Sequence, residues 1–243
     1  MGLLEGKVSL ITGADTEIGR EIARRFLQEG ARKVILFSED EKVLSGLCGS
    51  LDPAGERVGG VFGEIRGRDD AVRTIEDAVK EAGRIDILIN NFDLMEYGPV
   101  SPSEPGHWNR VLNANLNTAM FFMSAVIPMM KESGGGVIVN VSSLAGNVPF
   151  SGLGAYCASH AALQAFSKVA AKEVASFNIR VNIICPPIVE ETGTEGSSSE
   201  LLGRNGDPGS VADAALFLVS DRSEWLTGVT LDLDGGRHLA PGP

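Results

Sequence analysis

The chain has 243 residues, a length that suits a single domain because one hydrophobic core becomes strained only near ~250–300 residues. Apolar residues make up 43% and charged residues 22%, the proportions of an ordinary soluble globular protein. The formal net charge of -11 makes nucleic acid and anionic membrane surfaces poor partners, since both repel an acidic surface. We therefore expect one domain, residues 1–243, that binds neither.

Cysteine usage and hydropathy indicate the compartment. The three cysteines are widely separated, odd in number and without a CxxC pair, which is typical of reduced thiols in a reducing compartment. The sequence contains no run of 18 apolar residues, so a membrane span is not predicted. The first residues lack the apolar stretch of a signal peptide. We expect a cytoplasmic protein, and no metal site is predicted.

Short apolar runs alternate with longer helical patterns along the chain. The predicted strands are Val8–Ile11, Val34–Phe37, Val58–Phe62, Ile85–Ile89, Val137–Val141, Ile179–Cys185 and Val229–Leu233. The predicted helices between them are Thr16–Glu29, Glu41–Leu47, Asp69–Ala82, Trp108–Lys131, Ala155–Phe177 and Val211–Val219, with Ser210 as the expected cap of the last. Several strands are apolar without alternation, as strands covered by helices on both faces are. This series predicts an α/β fold with a doubly wound parallel sheet.

The first strand runs into a glycine turn that opens directly into a helix, Thr12-Gly-Ala-Asp-Thr-Glu-Ile-Gly19. Such a turn lets backbone N–H groups at the helix N-terminus approach a pyrophosphate. A glycine pattern alone is weak, but further motifs follow in chain order. They are Asn90-Asn91, Asn115-Leu116, Ser142-Ser143, Tyr156-Cys-Ala-Ser-His160, Arg180-Val-Asn-Ile-Ile-Cys-Pro186 and Asp234-Gly-Gly.

Together these motifs resemble the short-chain dehydrogenase/reductase family over essentially the whole chain, which implies a seven-stranded Rossmann-type sheet. In that family a tyrosine transfers the alcohol proton, a serine orients the substrate oxygen, a lysine lowers the tyrosine pKa and an asparagine supports a water leading to the lysine. By position these roles fall to Tyr156, Ser143 and Asn115. Ser143 is preferred to Ser142 because its thirteen-residue spacing to Tyr156 fits the family. The lysine position holds His160 instead.

The exchange of lysine for His160 removes a permanent charge. Lowering a tyrosine pKa from ~10 to neutrality requires roughly 4 kcal/mol. A lysine is charged at pH 7, whereas an ordinary histidine is mostly neutral and offers fewer donors to a ribose. His160 therefore either packs and hydrogen-bonds locally or keeps a reduced catalytic role.

The cofactor contacts implied by the resemblance are partly lost. Four positions are kept, namely Gly13, Ile18, Gly19 and Asn90. Four others carry bulk, negative charge or a missing N–H where the family has small residues, and we expect them to block the site: Glu17, Phe92, Asp93 and Pro187. A carboxylate ~4–5 Å from a phosphate costs a few kcal/mol at an effective dielectric of ~20.

Two further segments concern cofactor choice and substrate. Ser38-Glu39, at the end of the second strand, offers no cation for a 2′-phosphate, so NADP is disfavoured and NAD is not positively indicated. The Gly/Ser/Glu-rich segment 192–199 has too few apolar positions for the amphipathic lid helix common in the family.

These losses favour a non-catalytic subunit that binds no cofactor itself and assembles with a homologous active subunit, which would bind NAD. It resembles the degenerate subunits of heteromeric alcohol or hydroxyacyl-CoA dehydrogenases of the family, and a heterotetramer is expected. The helix containing Met120-Phe-Phe-Met123 is apolar nearly all round, so part of it is expected to face a partner. Two alternatives remain. One is an active NAD(H)-dependent alcohol dehydrogenase or ketone reductase that uses Tyr156 with His160, and the other is a sensor of a carbonyl or acyl ligand without turnover.

Overall fold

The structure is a computed structural model of the chain, and it describes residues 2–102, 104–187, 201–202 and 206–239. The segment 192–199, for which no lid helix is predicted, lies outside the described residues.

One parallel sheet forms the centre of the described part of the chain. Its strands have the order β3-β2-β1-β4-β5-β6-β7, and each neighbouring pair is parallel. The order reverses between β1 and β4, which places a crevice at the carboxyl ends of these two strands. The predicted doubly wound, Rossmann-type sheet in a single domain is confirmed. The strands are β1 (Val8–Ile11), β2 (Lys33–Ser38), β3 (Val58–Phe62), β4 (Ile87–Asn90), β5 (Gly136–Val141), β6 (Ile179–Cys185) and β7 (Thr230–Asp232).

Helices cover both faces of the sheet, and a large apolar cluster lies on each face. One apolar cluster includes Phe26 and Ala215, and the other includes Ile75 and Phe122 on the opposite face. The sheet residues are buried between them, which explains why the strands lack alternation. The helices within the described residues are α1 (Glu17–Gln28), α2 (Glu41–Leu51), α3 (Arg68–Ala82), α4 (Pro105–Leu112), α5 (Thr118–Glu132), α6 (Gly154–Val174) and α7 (Pro208–Val219).

Two helix predictions need correction. The helix expected at Trp108–Lys131 is α4 and α5 joined by a π-helical segment, Asn113–Asn117. Segments of this kind are rare and often occur at functional sites. Ser210 does not cap α7. That helix begins at Pro208, and the Asp207 carboxylate accepts a hydrogen bond from the Ser210 N–H at 3.0 Å.

The helical run 105–132 is long and apolar enough to cross a membrane by length and composition alone. In the fold, α5 buries Phe122, Met123 and Val126 against the sheet. The apolar residues of α5 are therefore those of a helix that packs in the core.

Candidate active site

The glycine turn after β1 is built tightly against the end of β4. Gly13 has φ +57°, and a Cβ at this position would lie 2.3 Å from the Asn91 carbonyl oxygen. The Asn91 amide donates to the Gly13 carbonyl at 3.0 Å and to the Thr16 hydroxyl at 2.9 Å. Thr16 in turn caps α1 by accepting from the Gly19 N–H at 3.0 Å. The glycine turn is therefore held in place by its close contact with Asn91 and by the Thr16 cap.

Asn90, which the resemblance places at the cofactor, holds two strands together. Its side chain is 2% exposed and donates to the Asn140 side chain at 2.7 Å. The two residues are register partners on β4 and β5. The contact of Asn90 is thus with the sheet.

Tyr156 and His160 lie one helical turn apart on α6 and share a face. Their rings contact edge-on with centroids 4.4 Å apart. Both are buried, with 3% and 1% of their surfaces exposed. The position that the family resemblance assigns to lysine is therefore enclosed, and its imidazole packs against the tyrosine ring.

Asp93, in the loop after β4, joins these two side chains. One carboxylate oxygen accepts from the Tyr156 hydroxyl at 3.2 Å, and the other lies 3.2 Å from His160 Nε2. The Asp93 side chain is 52% exposed while His160 is enclosed. Tyr156 thus has a carboxylate as a neighbour, whereas the resemblance implies a cationic one.

The two serines after β5 have different contacts. The Ser142 hydroxyl lies 3.3 Å from His160 Nδ1, so both ring nitrogens of the histidine have polar neighbours. The Ser143 hydroxyl accepts from the Ala145 N–H at 3.2 Å, and its interaction with Tyr156 lowers the pKa of the Tyr156 hydroxyl. Gln164, one turn beyond His160, donates to the Ser142 hydroxyl at 3.4 Å.

Asn115 lies in the π-helical segment and holds the loop that carries Asp93. Its carbonyl oxygen accepts from the Leu94 N–H at 2.7 Å, and its amide donates to the Leu94 carbonyl at 3.1 Å. The amide also donates to the Ser159 hydroxyl at 3.2 Å. Both amide hydrogens are therefore used by the protein itself.

The environment of Tyr156 favours its neutral form. Burial raises the pKa of the Tyr156 hydroxyl most, and the negative charge of Asp93 raises it further, while the bond from Ser143 lowers it partly. The direction is opposite to the effect that the family resemblance attributes to lysine.

A cavity of about 140 Å³ opens beside these groups at the crevice. It is smaller than the roughly 300–1,000 Å³ of ordinary ligand pockets. Asp93 and Pro187, two of the four residues expected to block the cofactor site, are among the residues that line it. Its lining residues are Ile18, Asn91, Asp93, Met95, Val141, Ser142, Ser143, Tyr156, Pro186 and Pro187.

The other two expected obstructions lie elsewhere. Glu17 is exposed at the start of α1. Phe92 packs into the core, with ring centroids 5.8 Å from Phe37 and 6.3 Å from Phe122. The expectation that Phe92 fills the cofactor space is corrected, because its ring turns to the helical layer and is not among the residues lining the cavity.

The end of β2 is acidic. The Ser38 hydroxyl accepts from the Asp40 N–H at 3.2 Å, and Asp40 caps α2. Glu39 and Glu41 are exposed beside it. Three consecutive carboxylates therefore follow the strand at which cofactor choice is made. Among the residues described, no group of three or more His, Cys, Asp or Glu side chains could hold a metal ion.

Sequence reasoning missed two parts of this arrangement. It treated Asp93 as an obstruction and did not foresee its bonds to Tyr156 and His160. It preferred Ser143 and left Ser142 without a role. The four-residue spacing of Tyr156 and His160 could have indicated that these two side chains touch. No sequence signal indicated the contacts of Asp93 and Ser142, because these residues come from distant segments.

The fold is a doubly wound parallel sheet with a glycine turn after β1. A serine, a tyrosine and an asparagine lie beside its crevice. This combination is typical of a class of α/β oxidoreductases. Residues 7–201 match the family model described as short chain dehydrogenase. The chain belongs to the short-chain dehydrogenase/reductase family.

Known relatives agree with this assignment. The chain is 36% identical to the 3-oxoacyl-(acyl-carrier-protein) reductase FabG of Thermotoga maritima, over 96% of this chain and 98% of that protein. A crystal structure of a short-chain dehydrogenase/reductase from Burkholderia xenovorans covers 100% of both chains with a TM-score of 0.92 and 31% identity. NAD⁺-bound xylitol dehydrogenase has a TM-score of 0.89 and 28% identity, with 96% of this chain and 99% of that chain covered.

Proposed function

We propose that this member of the family does not catalyse hydride transfer itself and serves as a non-catalytic subunit beside an active homologue. The observation that carries the proposal is the Asp93 carboxylate, which accepts from Tyr156 at 3.2 Å and lies 3.2 Å from His160. Activating a tyrosine from a pKa of ~10 to neutrality requires roughly 4 kcal/mol of stabilisation of its anion. A neighbouring carboxylate works against that anion.

The crevice also fits a dinucleotide poorly. Asp93 and Pro187 line a cavity of about 140 Å³, and Pro187 has no N–H to offer a ligand. We propose that NAD is bound by the active partner subunit and not by this chain. NADP is disfavoured, since the three carboxylates after β2 would repel a 2′-phosphate.

Exposed apolar side chains support the assembly. Trp225 is 95% exposed, Val169 on α6 is 52% exposed and Phe217 on α7 is 40% exposed. Aromatic residues are enriched in contacts between subunits, so Trp225 and Phe217 are candidates for such contacts. We propose a heterotetramer, as in heteromeric family members such as the hydroxybenzylsuccinyl-CoA dehydrogenase of anaerobic toluene degradation, with the substrate chosen by the active subunit. A cytoplasmic location is part of the same proposal.

The proposal is tested by titrating the purified chain with NADH and following nucleotide fluorescence. We expect no saturable binding up to millimolar NADH, with xylitol dehydrogenase, a relative whose structure has NAD⁺ bound, as a positive control for the assay. Saturation at micromolar NADH would falsify the proposal. Co-expression with a relative from the same source that keeps the tyrosine and lysine is expected to give a mixed oligomer, and a strict homo-oligomer would count against the assembly.

The second candidate is an active NAD(H)-dependent alcohol dehydrogenase or ketone reductase, and the comparisons taken alone favour it. Its relatives are named as reductases and dehydrogenases, and Asn115, Ser143 and Tyr156 are retained. In this reaction Tyr156 would exchange a proton with the substrate oxygen, and Asp93 would connect the hydroxyl to His160. Ketone-dependent NADH oxidation that His160→Ala abolishes would establish this candidate.

A further inference from the structure

We propose that the cavity beside Tyr156 binds a small alkylammonium ion through the Asp93 carboxylate. This goes beyond the role of the chain as a subunit and replaces the carbonyl or acyl ligand expected from the retained serine and tyrosine. The ligand class follows from which hydrogen-bonding positions in the cavity are free.

Three side-chain donors that line the described part of the cavity, those of Asn91, Ser142 and Tyr156, are already directed at protein acceptors. The Asn91 amide donates to Gly13 and Thr16. The Tyr156 hydroxyl donates to Asp93, and the Ser142 hydroxyl donates to the His160 carbonyl at 3.4 Å. A carbonyl or carboxylate ligand would have to break one of these bonds or rely on the Ser143 hydroxyl alone.

The acceptors, in contrast, are not exhausted. A carboxylate has about four lone-pair positions, and Asp93 uses two of them for Tyr156 and His160. Its side chain is 52% exposed, so the remaining positions are open to a ligand. No lysine or arginine is among the described lining residues, and the carboxylate therefore favours a cationic donor.

Size and wall chemistry limit the body of the ligand. The volume of about 140 Å³ is below that of pockets for drug-sized molecules. Apart from the polar groups, the walls are the apolar side chains of Ile18, Met95, Val141, Pro186 and Pro187. A short branched alkyl group attached to an ammonium matches both properties.

The test compares three nearly isosteric compounds by NMR titration of the full chain near neutral pH: isobutylammonium, isobutanol and isobutyrate. We expect saturable shifts with isobutylammonium, at least tenfold weaker binding of isobutanol and no binding of isobutyrate, because hydrogen bonds to charged groups are the stronger ones. The variant Asp93→Asn should weaken isobutylammonium binding at least tenfold. The control Glu76→Gln, which removes an exposed carboxylate on α3, should leave it unchanged.

Equal affinity for isobutanol, full affinity in the Asp93→Asn variant, or no isobutylammonium binding would each overturn the inference. A thermal melt of each variant establishes that it is folded. The variant Tyr156→Phe keeps the carboxylate and should keep the ammonium affinity within about threefold. The NADH titration is independent of this result, so failure of ammonium binding leaves the proposed subunit role in place.

Discussion

The Asp93 carboxylate accepts a hydrogen bond from the Tyr156 hydroxyl at 3.2 Å, across 63 residues of sequence. Asp93 comes from the loop after β4 and Tyr156 from α6, so the contact depends on the packing of that loop against the helix. It places a negative charge beside the group that would have to become an anion in tyrosine-based proton transfer. The bond therefore stabilises the neutral phenol.

The first prediction concerns the titration of Tyr156. In a Tyr97→Phe background Tyr156 is the remaining tyrosine of the two in the chain, and tyrosinate absorbance reports it alone. Asp93→Asn should lower the raised pKa of Tyr156 but leave it above the ordinary value, because burial, the larger cause, persists. Glu96→Gln, which removes a carboxylate paired with Arg110, is the control. An unchanged titration in Asp93→Asn contradicts the role of Asp93.

The second prediction is an alkaline loss of stability. Because the folded-state pKa of Tyr156 is raised, the folded chain holds this proton more tightly than the unfolded chain. The contribution of this proton to the free energy of unfolding is complete below the unfolded pKa of ~10. It is lost as the pH rises above that value. Urea unfolding at a series of alkaline pH values should show this slope in the parent chain. A slope of the same size in Tyr156→Phe would assign the loss to other groups.

The third prediction concerns Asn115. Asn115→Ala removes both bonds to the Leu94 backbone and the bond to Ser159, and leaves buried partners unsatisfied. We expect the free energy of unfolding to fall by about 2–3 kcal/mol in urea denaturation. Asn117→Ala, which removes an exposed side-chain bond to Asn113, should change it by no more than about 0.5 kcal/mol. Equal decreases in the free energy of unfolding in the two variants would show that the hydrogen bonds of Asn115 do not specifically stabilise the loop.

The regular part of the fold was predictable from the sequence. Strands β1, β3 and β6 begin and end at the predicted residues, because apolar runs bounded by turn residues mark them. The glycine turn was also predictable, since Gly13 must accommodate both a positive φ and the Asn91 carbonyl.

The rest depends on contacts between distant segments. The π-helical interruption places Asn115 against the Leu94 backbone, 21 residues away, and an apolar helical pattern carries no sign of this. The direction of the Phe92 ring was not predictable either, because the core space between Phe37 and Phe122 exists only once β2 and α5 have packed. Local patterns specify elements, whereas side-chain partners in the site come from tertiary packing.

The fourth prediction separates the two roles considered for Phe92. Phe92→Ala should lower the free energy of unfolding by about 2–4 kcal/mol, because it leaves a gap between Phe37 and Phe122. Phe62→Ala, at a side chain that is 53% exposed, should cost far less. NADH titration of Phe92→Ala is expected to remain without saturation. If a stably folded Phe92→Ala variant bound NADH, Phe92 would have to be interpreted as a residue that obstructs the cofactor site.

The fifth prediction restores the family pattern at two residues that contact Tyr156, Asp93 and His160. The double variant Asp93→Gly with His160→Lys removes the carboxylate and introduces an amine one helical turn from the tyrosine. Two effects should follow. The Tyr156 pKa should fall because its neighbour changes sign, and NADH affinity should rise at least tenfold because the loss of the carboxylate side chain enlarges the cavity.

Glu17→Gly is the matched control for this variant, since it also replaces a carboxylate with glycine, but at a residue that is not among those lining the cavity. The Glu17 carboxylate can turn into solvent, so we expect a smaller gain in NADH affinity than from the double variant. Circular dichroism checks that both proteins are folded, because His160 is 1% exposed and a longer side chain must be accommodated there. A folded double variant that binds NADH no better than the parent, or full recovery from Glu17→Gly alone, would place the obstruction elsewhere in the crevice.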